Sequence, residues 1–120
     1  MPGSPGNNAG MGYDEELENR VREHVEHEQG LSEKRMFGGL AFMIDGHMAV
    51  AAGSKGGLLL RVDPAETESL VSEPHIGRFV MRGREMNGWL RVDPEAFRTE
   101  QELERWIRLG VSYARSLPAK

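Results

Sequence analysis

The chain contains no cysteine in 120 residues. Disulfides, iron–sulfur clusters, thiolate zinc sites and cysteine nucleophiles are thereby excluded. Long apolar runs are missing as well: no stretch approaches the roughly 18 residues that span a bilayer, and the N-terminus lacks the basic segment and apolar run that export requires. A cytoplasmic protein without membrane contact is the expectation. A large excess of either sign is missing too, since 15 basic and 19 acidic side chains leave a formal net charge of −4. The balance is uneven, however: through Pro74 there are 6 basic and 13 acidic side chains, and from His75 onward 9 basic and 6 acidic. Any polyanion would have to bind the C-terminal part, where the excess is still small beside the basic faces of most nucleic-acid-binding domains.

What is present suits one domain, since about 100 to 150 residues bury a core without help from metals or disulfides. The opening "MPGSPGNNAG" holds five Pro or Gly. Residues 1–12 are therefore expected to be a disordered tail, and residues 13–120 the domain. In "YDEELENRVREHVEHEQG", apolar Leu17, Val21 and Val25 recur every fourth residue, Asp14 is placed to cap and Gly30 to terminate. This spacing predicts a helix from Asp14 to Gln29. The period then changes. "DG" at Asp45 and Gly46 between "AFMI" and "HMAV" is a hairpin signal, and "GSKGG" marks a second turn. Three or four strands are expected, over Lys34–Phe37, Leu40–Ile44, His47–Ala52 and Gly57–Val62, with a bend, a bulge or a close backbone approach at Gly38-Gly39. Two more strands, Gly77–Arg82 and Gly88–Val92, leave Gly83 and Asn87-Gly88 competing for the turn. Thr99 and Glu102 form a capping box before a last helix with apolar Leu103, Trp106, Ile107, Gly110, Ala114 and Leu117 on one side.

One phrase occurs twice, as "LLLRVDPAE" at Leu58–Glu66 and "GWLRVDPEA" at Gly88–Ala96. Asp is a good N-cap, Pro suits the first helical position, and Glu favours the positive helix end. Both copies therefore read as strand-to-helix switches, and not as a shared binding motif. The assembled order is α-β(3-4)-α-β(2)-α, an α+β class with a single antiparallel sheet and helices on one face.

Chemistry is harder to find. His24, His27 and Glu28 lack the helical zinc spacing, in which two His four apart have a Glu directly after the first. A solvated helix face is the plainer reading, and no metal or cofactor is expected. His47 and His75 read as exposed loop residues. No Ser or Thr lies in a nucleophile-elbow pattern, and "GSKGG" leads into a strand where a phosphate loop would open a helix. Arg78, Arg82, Arg84 and Arg91 gather around the last hairpin with Trp89 among them, so they are candidate contacts for an anion or a nucleic acid. Met36, Met43, Met48, Met81 and Met86 fall on or beside strands, where most fill core and an exposed group would be an adaptable protein-binding surface.

The runs "RMFGGLAFMIDGHMAV", "LLLRVDP", "MRGREMNGWLRVDPE" and "WIRLGVSYARSLPAK" occur in this order. In that combination the chain resembles the TfoX N-terminal domain of TfoX/Sxy competence regulators, from about Leu17 to Lys120. The resemblance implies a secretion-chaperone-like α+β fold. It supplies no catalytic residues, only the family-pattern residues Arg35, Met36, Phe37, Gly38 and Gly39. Full-length members carry a further C-terminal domain and promote transcription of DNA-uptake genes alongside a cyclic-AMP receptor protein. The expected function is thus a non-enzymatic protein-interaction module with a protein partner the sequence does not identify, a homodimer being one form. Two alternatives stand beside it: nucleic-acid binding through the arginine hairpin, and a small-molecule or enzymatic pocket near Arg35 and the Gly38-Gly39 bend.

Overall fold

The computed structural model describes residues 14–36 and 38–119. Residues 1–12 and Phe37 lie outside the described residues. Helix α1 (Glu15–Val25) leads into strands β1 (Leu31–Met36), β2 (Gly39–Ile44), β3 (His47–Gly53) and β4 (Leu58–Arg61). A 3₁₀ turn (Pro64–Glu66) and short α2 (Thr67–Val71) precede β5 (Ile76–Met81) and β6 (Arg84–Val92); a second 3₁₀ turn (Pro94–Ala96) precedes α3 (Glu100–Ser116). The strands form one antiparallel sheet in the order β1-β2-β3-β4-β6-β5. All three helices add to the core on one face of it, as the apolar spacing predicts.

Helix α1 starts as expected, with the Asp14 carboxylate accepting from the Leu17 amide at 3.0 Å, but stops at Val25 instead of Gln29. Its apolar stripe is exhausted there. The next position on that stripe is the exposed Gln29, so nothing packs to extend the helix. Leu17, Val21 and Val25 meet Leu103, Trp106, Ile107 and Ala114 of α3 in the main core, with Phe42, Val50, Leu60 and Leu90 rising from the sheet. The capping box at Thr99 and Glu102 is made in both directions. Helix α3 sits close on β3, because a Cβ on Gly110 would lie 2.3 Å from the Ala49 carbonyl oxygen. Ala49 is the extra residue of a bulge where the β2–β3 register shifts beside Phe42 and Met43.

The last hairpin turns at Arg82-Gly83, with φ of 54° and 78°, and not at Asn87-Gly88. The earlier turn sets the β5 register that places Ile76 opposite Val92 in the core, where a turn at Asn87-Gly88 would set Gly83. Gly88, at φ 85°, instead occupies an irregular point of β6. Its amide donates to the buried Thr67 hydroxyl at 2.8 Å, and its carbonyl accepts from Val62 at 2.9 Å. The repeated phrase has a simple geometry. Its two copies lie side by side and antiparallel at β4 and β6, with Leu60 opposite Leu90, and their Asp-Pro switches leave at opposite ends of the sheet. Asp63 caps its turn through the Ala65 amide at 2.9 Å. Asp93 makes no cap; it accepts from Arg91 Nε at 3.0 Å instead, and α3 waits for Thr99.

Candidate functional site

Alternation along the strands sends Leu40, Phe42, Leu60 and Leu90 to the helices and Gly39, Ala41, Ala51, Leu59, Trp89 and Arg91 to the opposite face. No helix among the described residues covers that second face. Ala41, Met48, Ala51 and Leu59 are buried on it beneath the half-buried Met36, Met43, Phe79 and Trp89. Small side chains at its centre and larger ones around them make it concave. A cavity of about 470 Å³ opens there, with Gly39, Ala51, Gly53 and Leu59 in its floor, Phe79 on one side, and Lys55 and Arg91 at its mouth.

Gly38 and Gly39 line this cavity, and Arg35 does not. Strand alternation turns Arg35 to the helix side, where its guanidinium holds the carboxylate of buried Glu18 through both Nη atoms. Each described family-pattern glycine has a backbone reason. Gly38 has a φ of 73°, in the left-handed region, and a Cβ on Gly39 would meet the Ala52 carbonyl oxygen at 2.1 Å. Met36 belongs to the open-face cluster.

The four arginines do not form one surface. Arg78 lies opposite Leu90 on the helix side and donates to Asn87 Oδ1 at 3.0 Å, whereas Arg91 lies on the open side opposite Gly77. Arg82 and Arg84 stand exposed at the hairpin tip, with no ion-pair or hydrogen-bond partner among the described residues. Beside them on the edge strand, Val80 is 53% exposed, the one large hydrophobic among the described residues left so open.

The histidines separate. His24 points both ring nitrogens at α3, Nδ1 to Glu104 at 2.7 Å and Nε2 to Glu100 at 3.0 Å. Glu28 turns instead to Arg108 and Arg115, each at 2.8 Å, and those guanidiniums hold its carboxyl below the usual carboxylate range. His24, His27 and Glu28 therefore do not converge on one point. His47, expected on the surface, is buried against the Pro118 carbonyl oxygen at 2.6 Å. Sequence reasoning missed one convergence: His75, Asp93 and Glu95 offer ligand atoms within 4.8 Å of one another. The backbone bond from the Asp93 amide to His75 O, across the β5–β6 ends, brings them together, and no spacing rule would have found that. All three are at the surface or partly exposed, and Asp93 is already held by Arg91.

The molecule is thus an α+β module whose helix-covered face is built for stability and whose open face and edge hairpin are its available surfaces. It belongs to the TfoX N-terminal domain family, whose model matches residues 23–114. That span runs from the last turn of α1 to near the end of α3 and includes all six strands. No curated protein and no solved structure matches the chain. No described helix is long and apolar enough to cross a membrane.

Proposed function

We propose that this TfoX-type chain is a non-enzymatic, regulator-type interaction module whose protein partner docks along the β5 edge. Family membership supports the regulator reading. The observation that carries the docking edge is Val80, 53% exposed on a strand with no neighbour on its outer side among the described residues. An edge strand with an exposed apolar side chain invites strand addition by a second chain. The test is co-purification from native lysate, read beside the protein's mass by light scattering, for the wild type and Val80→Lys. A specific partner or a homodimer that is lost in the variant at unchanged thermal stability supports the reading. A monomer that recovers no specific partner overturns it.

A second reading rests on Arg82 and Arg84, two exposed guanidiniums without partners among the described residues at the tip of the hairpin. Such groups grip phosphates, and phosphate-driven affinity falls steeply as salt rises. Titrating labelled duplex DNA at low and moderate salt distinguishes the two. Binding whose salt slope flattens in Arg82→Gln/Arg84→Gln moves the site to the tip, and no binding at low salt removes this reading.

A further inference from the structure

We propose that the concavity on the helix-free face is a binding site for a small organic monoanion, its apolar part seated on Ala51, Leu59 and Phe79 and its acidic group met by Lys55 and Arg91. The site opens on the sheet face and takes Phe79 from β5, whereas the readings above use the outer edge of that strand at Val80 and the hairpin tip, and it does not depend on either of them. Its volume, about 470 Å³, lies within the range of small-molecule pockets, which are mostly apolar with a few placed polar groups.

The hollow is written into the register. Gly39 pairs with Gly53 and Ala41 with Ala51, so the two neighbouring strands carry almost no side chain there, while Met36, Met43, Phe79 and Trp89 stand higher around them. The two cations are presented differently. Arg91 is held in place: Asp93 fixes its Nε at 3.0 Å, and its guanidinium lies over Gly77, where a Cβ would come within 2.8 Å of Nη2. Both Nη atoms are left without an acceptor among the described residues. Lys55 comes from the loop between β3 and β4 and has no ion-pair partner among the described residues. With Asp93 offsetting one of them, the mouth carries a single net positive charge, which selects one negative charge over none.

A free aliphatic acid and the C-terminus of an apolar peptide present this same chemistry, so both are used as probes. Octanoate and acetyl-Leu-Phe are titrated separately into the ¹⁵N-labelled full chain, with octanamide as the uncharged control. The expected result is saturable shifts at Ala51, Gly53, Lys55 and Leu59 with at least one of the two acids by about 10 mM, the affinity range of ligands this small. The tighter acid identifies the source. Lys55→Gln/Arg91→Gln, two surface changes that leave the core untouched, is expected to weaken binding about tenfold or more through loss of charge-assisted hydrogen bonds. No saturable shift with either acid, equal binding of octanamide, or undiminished binding by the double variant overturns the proposal.

Discussion

On the helix side of the sheet, Glu18 meets Arg35, Glu33 meets Arg22, and Glu28 meets both Arg108 and Arg115. On the open side, Lys34 and Lys55 have no ion-pair partner among the described residues, and Arg91 alone meets an acid. The same sheet thus carries two charge regimes in a chain whose net charge is −4. The helix side has closed its electrostatics onto itself, and what it gains is α1 tied to β1 and the segment after α1 tied to α3. The open side keeps cations available, and its apolar residues form a shallow second cluster instead of a packed layer. Total charge therefore says little about which surface meets other molecules.

Substitutions test this division, and the largest effects are expected where α3 meets the sheet. Trp106→Ala removes a buried indole that also donates to Ala96 O at 3.0 Å. It should cost about 3–5 kcal/mol in chemical denaturation. Gly110→Ala comes next: helix propensity favours Ala, but the Ala49 carbonyl blocks the added methyl. A net loss of about 1–3 kcal/mol is expected, and a gain would show that α3 can lift off β3 freely.

Acid should act on the helix side. Arg108 and Arg115 hold the Glu28 carboxyl below its ordinary value, Arg22 does the same for Glu33, and His24 with Arg20 for Glu100. A carboxylate depressed in the folded state contributes fully above its unfolded value, about 4.3, and that contribution fades as pH falls through the lower folded value. Melting temperature should hold near neutrality and drop below about pH 4, less steeply in Glu28→Gln. The smallest effect belongs to the open face, where Lys34→Gln and Lys55→Gln should each stay within about 0.5 kcal/mol of the wild type. A loss there matching the one at Gly110 would break the contrast between the faces.

Much of this architecture was legible in residue spacing. The Asp45-Gly46 turn, the capping box at Thr99 and both strand ends at Asp-Pro depend on local backbone chemistry, and local chemistry is what a sequence displays. The competition between Gly83 and Asn87-Gly88 was not decidable locally, because both glycines take positive φ. The burial of Ile76 against Val92, at the far end of the hairpin, decides it. The end of α1 was missed because Glu26–Gln29 have helical propensity but nothing to pack on. Gly38-Gly39 reads equally as a bend, a bulge or a close backbone approach, and only the Ala52 carbonyl, brought in by strand pairing, singles out the close approach at Gly39. Arg35 was placed beside the pocket, yet the alternation of β1 turns it to the far face. The grouping of four arginines failed for the same cause, since neighbours in sequence part company across a strand. Arg91 and Lys55 meet only through tertiary pairing, and no motif joins them.

The strand order carries a consequence for how the protein assembles. Strands β1 to β4 follow one another as neighbours, and β5 and β6 close on a two-residue turn, so these pairings need only short excursions of the chain. The join between β4 and β6 is different, because α2 and all of β5 must be traversed between Arg61 and Trp89 before it can form. Its closure entropy falls due late. The sheet is therefore two locally formed pieces sewn along one line, Leu58–Arg61 against Trp89–Val92. Partial unfolding should follow that line, with amides of the β5–β6 hairpin exchanging ahead of those in β2 and β3.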